Sequence, residues 1–424
     1  MECSTKLLPE LLAPAGGREQ LEAAITYGAD AVYMGGRTLS LRAQCEGFDD
    51  AALASAVPYA HAAGVKVYYC LNALPYDKHL GAVSAQLERL PDLGVDGLIA
   101  ADPGVIYLAR RYCPTVELHL STQAHSVNAA AVAFWQEQGA KRINVARELS
   151  QVAMRRLIRA FPAMEFEIFV HGAQCLALSG HCLLSAWVNK RPANQGLCTQ
   201  PCRFHYKGVQ LTVAEERRGE EPFWDVQQGD DFSGIWAPTD LCLVRAMPWL
   251  ARSGAAALKL EGRTKSGSYV AQIVDVYRTA LQAQGQRLGL APRRPLPLPL
   301  PALAPSGDAC VAELLQTASR PLSSGFFFPQ RKEEAKDPAL HARPVVARLD
   351  APVGEGWQVQ VRGRWDSSKD AALLLPSMRR PVLRAGTYTL ENHRGEKVDV
   401  LHSGTKGMLY WQGEGLASGL YIRA

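Results

Sequence analysis

The chain has 424 residues, 46 Lys and Arg against 41 Asp and Glu, a net charge of +5, and 47% hydrophobic with 21% charged residues. This composition suits a globular fold with room for one large domain and a smaller one, and it excludes general disorder. The mild charge permits a nucleic-acid partner without demanding one. No apolar run is long enough to span a bilayer, and Met1 to Pro9 lacks the apolar core of a secretion signal. The reading is therefore a cytoplasmic protein with no membrane partner, in which ten cysteines argue against a disulfide framework.

In chain order, eight short apolar runs each end in Gly, Asn, Asp or a polar cluster: Glu10–Ala15, Ala31–Gly35, Val65–Asn72, Gly97–Asp102, Glu117–Gln123, Arg142–Arg147, Glu165–His171 and Ala256–Glu261. Stretches with helical spacing lie between them, among them Arg18–Tyr27, Phe48–Ala63 and Asn128–Gly139. Strands that are apolar on both faces and alternate with helices predict a parallel sheet, and eight such units predict a closed (β/α)8 TIM-like barrel. Ala15-Gly16-Gly17 after the first run is only a tight turn, so no dinucleotide fingerprint supports the alternative of an open sheet.

The seventh unit is stretched: about 85 residues separate His171 from Ala256, and four cysteines fall in the first part of that excursion. Its remainder, especially 213–231, is charged and reads as exposed. Residues 292–305 alternate Pro with Leu and Ala, which is the composition of a semi-rigid extended spacer. From Arg343 on, short alternating runs such as Val345–Leu349, Trp357–Val361, Gly386–Leu390, Lys397–Leu401 and Met408–Gln412 predict a small all-β domain. The division is thus a barrel over 1–291 with a cysteine segment at 171–206, a Pro-rich connection over 292–342, and a small β-barrel-like domain over 343–424.

A barrel places its active site at the C-terminal ends of its strands. The residues there are polar: Asn72, Asp102, Ser121, Gln123, Arg147, Glu148, His171, Lys259, Glu261 and Arg263. Each alone could be a loop or cap residue; together they predict one polar mouth. The cysteines follow Cys175-x6-Cys182-x15-Cys198-x3-Cys202. Zinc sites favour two tight pairs, and only the second pair here is tight. An iron–sulfur cluster accepts looser spacing. Spacing alone leaves a cluster, a zinc ion and unligated thiols all open, with Cys242, Cys45, His171 and His181 as alternative ligands.

Particular segments narrow the reading. His171-Gly-Ala-Gln-Cys-Leu-Ala-Leu-Ser-Gly-His-Cys-Leu-Leu-Ser185 followed by Asn194-Gln-Gly-Leu-Cys-Thr-Gln-Pro-Cys-Arg203 resembles the U32 family, historically labelled collagenase-like peptidases. Leu11–Gly16 with Gly28–Tyr33 looks like that family's first βαβ unit, and Leu258–Arg263 with Ser266, Tyr269, Tyr277 and Arg278 looks like its late strand and following helix. Arg320–Phe327 resembles a further family segment, from which Pro321 and Leu322 depart. The length and β-rich tail resemble the branch of prephenate-dependent tRNA uridine hydroxylases. That resemblance implies 5-hydroxyuridine formation at the tRNA wobble position, prephenate as co-substrate, and an iron–sulfur cluster, [4Fe–4S] in type, on cysteines of this segment. Sister branches imply ribosomal-RNA or quinone-pathway hydroxylation instead. One departure stands out: where the family carries Asn-Ser-Lys-Asp-Leu, this chain has Ala237-Pro238-Thr239-Asp240-Leu241, without the lysine.

On this reading Cys175, Cys182, Cys198 and Cys202 hold the metal. Arg147 and Arg263, whose planar forks match carboxylates, grip a dicarboxylate donor together with Gln123. His171 and Glu261 handle protons. Lys190, Arg191, Arg203, His205, Tyr206 and Lys207, with Trp187 and Phe204, are candidates for RNA contact, as are Arg362, Arg364, Arg379, Arg380 and Arg384 in the tail. A cluster-bearing binding protein without catalysis is the alternative from another class. A peptidase is a third, although no HExxH motif is present.

Overall fold

The computed structural model describes residues 7–37, 40, 46–175, 182, 184–189, 191, 193, 197–203, 227–228, 233–234, 239–295, 304–328 and 343–424. Seven parallel strands run in chain order: β1 (Glu10–Pro14), β2 (Ala31–Gly35), β3 (Lys66–Cys70), β4 (Gly97–Ala100), β5 (Glu117–Leu120), β6 (Arg142–Asn144) and β7 (Glu165–Ala173). The excursion contributes a short pair, β8 (Gln227–Gln228) and β9 (Ser233–Gly234), and a returning strand, β10 (Asp240–Cys242). The eighth barrel strand is β11 (Ala257–Leu260). It pairs in parallel with β1, Glu10 opposite Ala257, and with β7, Ala257 opposite Glu167, and so closes the barrel.

Side chains alternate across each strand, so one set packs outward against the helices and the other fills the lumen. The lumen's apolar cluster is small: Leu12, Ala31, Tyr33, Tyr68, Cys70 and Ile99. Beside it lie buried charges. Arg142 Nη1 donates to Glu10 Oε1 at 2.7 Å, Lys259 Nζ donates to Glu167 Oε1 at 2.7 Å, and Tyr68 Oη donates to Glu10 Oε2 at 2.8 Å. Buried charges persist when paired, and these pairs thread the barrel from its floor to its mouth.

The outer helices begin on the capping residues that the sequence supplies. Asp49, Asp102, Asn128, Ser150, Ser266 and Ser306 accept from backbone N–H groups of α2 (Asp50–Ala62), α4 (Pro103–Tyr112), α5 (Ala129–Glu137), α6 (Gln151–Ala160), α9 (Gly267–Leu288) and α10 (Gly307–Leu315). The remaining helices are α1 (Arg18–Thr26), α3 (Leu80–Leu93), α7 (Leu184–Asn189) and α8 (Met247–Leu250). Arg278, buried on α9, donates through Nε to Gly28 O at 2.7 Å and pairs with Asp30, which also accepts from Leu11 N. The Tyr-Arg of the sequence therefore staples the last barrel helix to the first βα unit.

The excursion returns beside the barrel. β10 lies antiparallel to the end of β7, Cys242 opposite His171, and β12 (Leu322–Ser323) adds in parallel outside it. The Pro-rich connection thus leads into α10 and β12, which belong to the barrel's flank. The C-terminal region, from Val345 to Arg423, folds into an antiparallel sheet of eight strands and a separate antiparallel pair, Trp365–Asp366 with Val400–Leu401. It docks on α1, α9 and α10. Tyr27 Oη donates to Leu374 O at 2.6 Å, Arg380 bridges Asp275 and Glu313 at 2.7 and 2.8 Å, and Arg423 pairs with Glu313 at 2.8 Å. Of the tail arginines proposed for RNA, Arg380 is consumed in this joint and Arg362 pairs with Glu19 at 2.6 Å.

Candidate active site at the barrel mouth

The C-terminal ends of the strands enclose a cavity of about 60 Å3 lined by Tyr33, Cys70, Asn72, Ser121, Gln123, Asn144, Arg147, Phe169, Cys175, Lys259, Glu261 and Arg263, among others. Of the ten polar strand-end candidates, seven line this cavity: Asn72, Ser121, Gln123, Arg147, Lys259, Glu261 and Arg263. Asp102 is instead the N-cap of α4, accepting from Val105 N at 2.9 Å. Glu148 does not line the cavity either.

His171, expected at the mouth as a proton carrier, is turned away from it. The pairing of β11 with β7 slips between Lys259 and Leu260, so Lys259 faces Phe169 while Leu260 faces His171. Such a bulge re-aims every later side chain. Phe169 stays in the lumen, and the His171 ring packs outward against Tyr277 and Tyr269 of α9, at 5.4 and 6.2 Å between centroids. Tyr277 Oη lies 3.4 Å from its Nδ1. Burial, and then the charge of Lys265, push the His171 imidazole down to about 3, so it is neutral. Gly172 follows with φ +106, and an added Cβ would stand 2.8 Å from Glu261 Cβ; a glycine is needed for β7 to pass Glu261 this closely.

Two arginines frame the cavity. Arg147 packs 3.8 Å above the Phe169 ring, donates to Ala173 O, and lies 3.7 Å from Glu261 Oε2. Arg263, 4% exposed, donates to Ser40 Oγ at 2.8 Å. Room for it exists because residue 35 is glycine: a Cβ there would meet Arg263 Nη1 at 2.9 Å. Among the described residues, the buried Nε atoms of Arg147 and Arg263 have no hydrogen-bond partner. Lys259 sits 4.4 Å over the Tyr33 ring, and Tyr33 Oη lies 3.5 Å from Glu261 Oε2. Gln123 is held rigidly: its Oε1 accepts from Asn72 Nδ2 at 2.8 Å and from Ser121 Oγ at 2.9 Å, while its Nε2 donates to Asn72 O at 3.0 Å. One amide hydrogen of Gln123 stays available, since the group carries two donors.

Beneath this layer lies a support that sequence reading missed. Glu167, fully buried, accepts from Lys259 at 2.7 Å and from Asn144 Nδ2 at 2.9 Å, with Arg142 at 3.7 Å. Its signal was present: a glutamate at an alternate position inside an apolar run, where an unpaired carboxylate would be costly.

Cys175 stands at the rim of the cavity and is exposed, and Cys182, Cys198 and Cys202 are half-buried. By contrast Cys70, Cys113 and Cys310 are buried. The Cys198–Cys202 loop is tied to α7: Thr199 N donates to Ser185 Oγ at 3.0 Å and Asn189 Nδ2 donates to Thr199 Oγ1 at 2.6 Å. Gln200, at φ +58, turns its N–H onto Cys198 Sγ at 3.3 Å. Accessible thiols with an amide donor are the donor chemistry of a soft-metal site. Among the described residues, however, no three His, Cys, Asp or Glu side chains already converge on one point. Cys242 is on β10, with Tyr277 Oη 3.8 Å from its sulfur. Cys45, His181, Lys190 and 204–207 lie outside the described residues, as do the side chains of Trp187 and Arg203. No helix among the described residues is long and apolar enough to cross a membrane.

The geometry of a polar barrel mouth beside a cysteine-rich loop meets a matching family. The profile of peptidase family U32 covers residues 16–337. The chain belongs to peptidase family U32. It is 38% identical over 307 residues to the tRNA hydroxylation protein P of Escherichia coli (strain K12), covering 64% of this chain and 68% of that protein. It is 40% identical over 277 residues to the tRNA hydroxylation protein P1 of Bacillus subtilis (strain 168), covering 65% and 63%. The 23S rRNA 5-hydroxycytidine C2501 synthase of Escherichia coli (strain K12) is 34% identical over 277 residues, covering 65% of this chain and 39% of that protein. The chain thus spans about two thirds of the length of the two tRNA-hydroxylation relatives. In this U32 chain the family-like segment Leu258–Arg263 supplies Lys259, Glu261 and Arg263 to the mouth, and the cysteine segment begins on its rim at Cys175.

Proposed function

We propose that this chain is an RNA hydroxylase acting on tRNA. It forms 5-hydroxyuridine at the wobble position with a prephenate-derived donor, and it holds an iron–sulfur cluster, [4Fe–4S] in type, on Cys175, Cys182, Cys198 and Cys202. The relatives named for tRNA and rRNA hydroxylation support the RNA substrate. One observation carries the chemistry: Arg147, Lys259 and Arg263 converge with Glu261 on a single small polar cavity, and Cys175 stands on its rim.

The residues divide the work by their charge and reach. Arg147 and Arg263 present buried Nε donors, and guanidinium forks bind carboxylates in pairs, so a dicarboxylate would be fixed between them. Gln123, locked by Asn72 and Ser121, offers one amide hydrogen to the same guest. Glu261, beside Arg147 and Tyr33, is placed to exchange a proton with a guest in the cavity. Installing oxygen on a base carbon needs electron chemistry that side chains lack; a cluster, when bound, supplies it. The four thiols would be gathered by the metal, as metal sites often are.

Proteolysis fits the mouth poorly. The hydroxyls of Ser121 and Thr122 are bonded to Gln123 Oε1 and Val145 O, and His171 faces α9. A hydrolytic nucleophile needs an adjacent base.

The test is complementation. The chain is expressed in a bacterial strain lacking its own tRNA-hydroxylating relative, and tRNA and rRNA nucleosides are quantified by mass spectrometry. Return of 5-hydroxyuridine to tRNA is the expected result. Return of 5-hydroxycytidine to rRNA instead would move the substrate, and return of neither would overturn the reading. Iron and sulfide assay of the anaerobically purified protein tests the cluster separately.

A further inference from the structure

We propose that Tyr76 and His79, on the mouth loop between β3 and α3, form a stacking platform for an unpaired RNA nucleotide next to the one that enters the cavity. The inference rests on the RNA reading above and names the surface that would hold that substrate.

Tyr76 is 56% exposed, among the most exposed large side chains of the described chain. It is not a loose surface ring. The Tyr76 amide donates to His79 Nδ1 at 3.1 Å, and the His79 amide donates back to Tyr76 O at 2.7 Å. The two rings lie 5.9 Å apart between centroids and only 27° from parallel. The Tyr76 ring therefore lies beside a nearly parallel imidazole that is tied to its own backbone, with more than half of the residue exposed to solvent. Because Nδ1 accepts from the Tyr76 amide, Nε2 is left to donate to a base edge or phosphate.

The position is functional in its topology. β3 ends at Cys70, and the loop that follows on the same C-terminal face runs from Asn72, which holds Gln123 in the cavity wall, on to Tyr76. The cavity opens at the C-terminal face of the barrel, the face to which this loop belongs. An RNA presenting one base there must splay its neighbours across the rim. Base-on-aromatic stacking is how proteins hold unpaired nucleotides, because it needs a flat rigid ring and no particular base. Lys78, exposed on the same loop, offers a phosphate contact, with Asp77 the loop's one carboxylate.

The experiment measures binding of a labelled anticodon stem-loop RNA to the intact protein and to Tyr76→Ala, Tyr76→Phe and His79→Ala, with a fully paired duplex of like composition for comparison. Losing one stack costs about 1–3 kcal/mol, so Tyr76→Ala is expected to weaken hairpin binding by about 5- to 150-fold. Tyr76→Phe should bind as the natural protein does, His79→Ala should fall between, and duplex binding should not change. Thermal unfolding of each variant separates a lost platform from a lost fold. Hairpin binding by Tyr76→Ala within about twofold of the natural protein would overturn the platform and leave the RNA reading standing. A Tyr76→Phe defect equal to that of Tyr76→Ala would overturn it too, since the ring would then not be the contact. A natural protein that binds no RNA overturns both.

Discussion

Lys259→Met removes the charge that lets the mouth contain a buried carboxylate. Lys259 Nζ and Glu167 Oε1 are 2.7 Å apart, and their side chains are 4% and 2% exposed. Burial by itself would raise the Glu167 carboxyl; the ammonium of Lys259 and then the guanidinium of Arg142 outweigh that and hold it below the usual carboxylate range. At an effective dielectric of about 20, unit charges at this separation attract by about 6 kcal/mol, much of which the desolvation of both groups offsets. Removing one partner of such a pair costs about 3–5 kcal/mol, because the other charge stays buried. The loss carries a pH signature. In the natural chain the lowered Glu167 pKa contributes stability above the unfolded value of about 4.3, and that contribution is lost as pH falls through the folded value. In the variant the folded value moves up, so the uncompensated carboxylate is penalised at neutral pH and relieved as acid protonates it. Urea unfolding at about pH 7 and about pH 5 should therefore show a gap of about 3–5 kcal/mol that narrows on acidification. Adding Glu167→Gln to Lys259→Met should recover part of it. A cost below about 1 kcal/mol at neutral pH, a gap that ignores pH, or strictly additive single variants would refute the reasoning.

The other predictions concern the mouth, its flank and the domain joint. Arg263→Ala should lower hydroxylation by about 10- to 100-fold, the worth of a charge-assisted pair, while iron content is unchanged; full activity would remove Arg263 from the site. Cys198→Ser should lose iron and sulfide from the anaerobically purified protein, and retention of both would exclude this thiol as a ligand. His171 binds its proton far more weakly folded than unfolded, so it costs stability as pH falls from about 6.5 towards about 3, by about 1.4 kcal/mol per pH unit; His171→Phe should flatten that part of the acid limb, and an unchanged slope would contradict the assignment. Asp275→Ala removes a buried carboxylate that accepts from Arg380 at 2.7 Å and from Met378 N at 3.1 Å. It should cost about 3 kcal/mol and open the junction to limited proteolysis near Met378, and unchanged digestion would argue against the joint.

Much of this protein could be read from its residues alone. Eight apolar runs alternating with capped helices require a doubly covered parallel sheet, and their number closes it, because a parallel strand can be buried on both faces only with helices around it. The polar residues at run ends converge at the mouth for the same reason: parallel strands finish on one face. Three particulars needed the tertiary structure. A one-residue slip between β7 and β11 turns His171 outward, and a bulge leaves no mark in a run whose residues are all compatible with burial. The charges of Glu10, Arg142, Glu167 and Lys259 are far apart in sequence and become one network only when the strands are laid side by side. Arg380 and Arg362 resemble RNA-binding arginines until α9 and α10 bring Asp275 and Glu313 against the first and α1 brings Glu19 against the second. Periodicity and end chemistry are local and are legible along the chain; which way a side chain faces after a slip, and which charge it meets, are properties of the packed barrel.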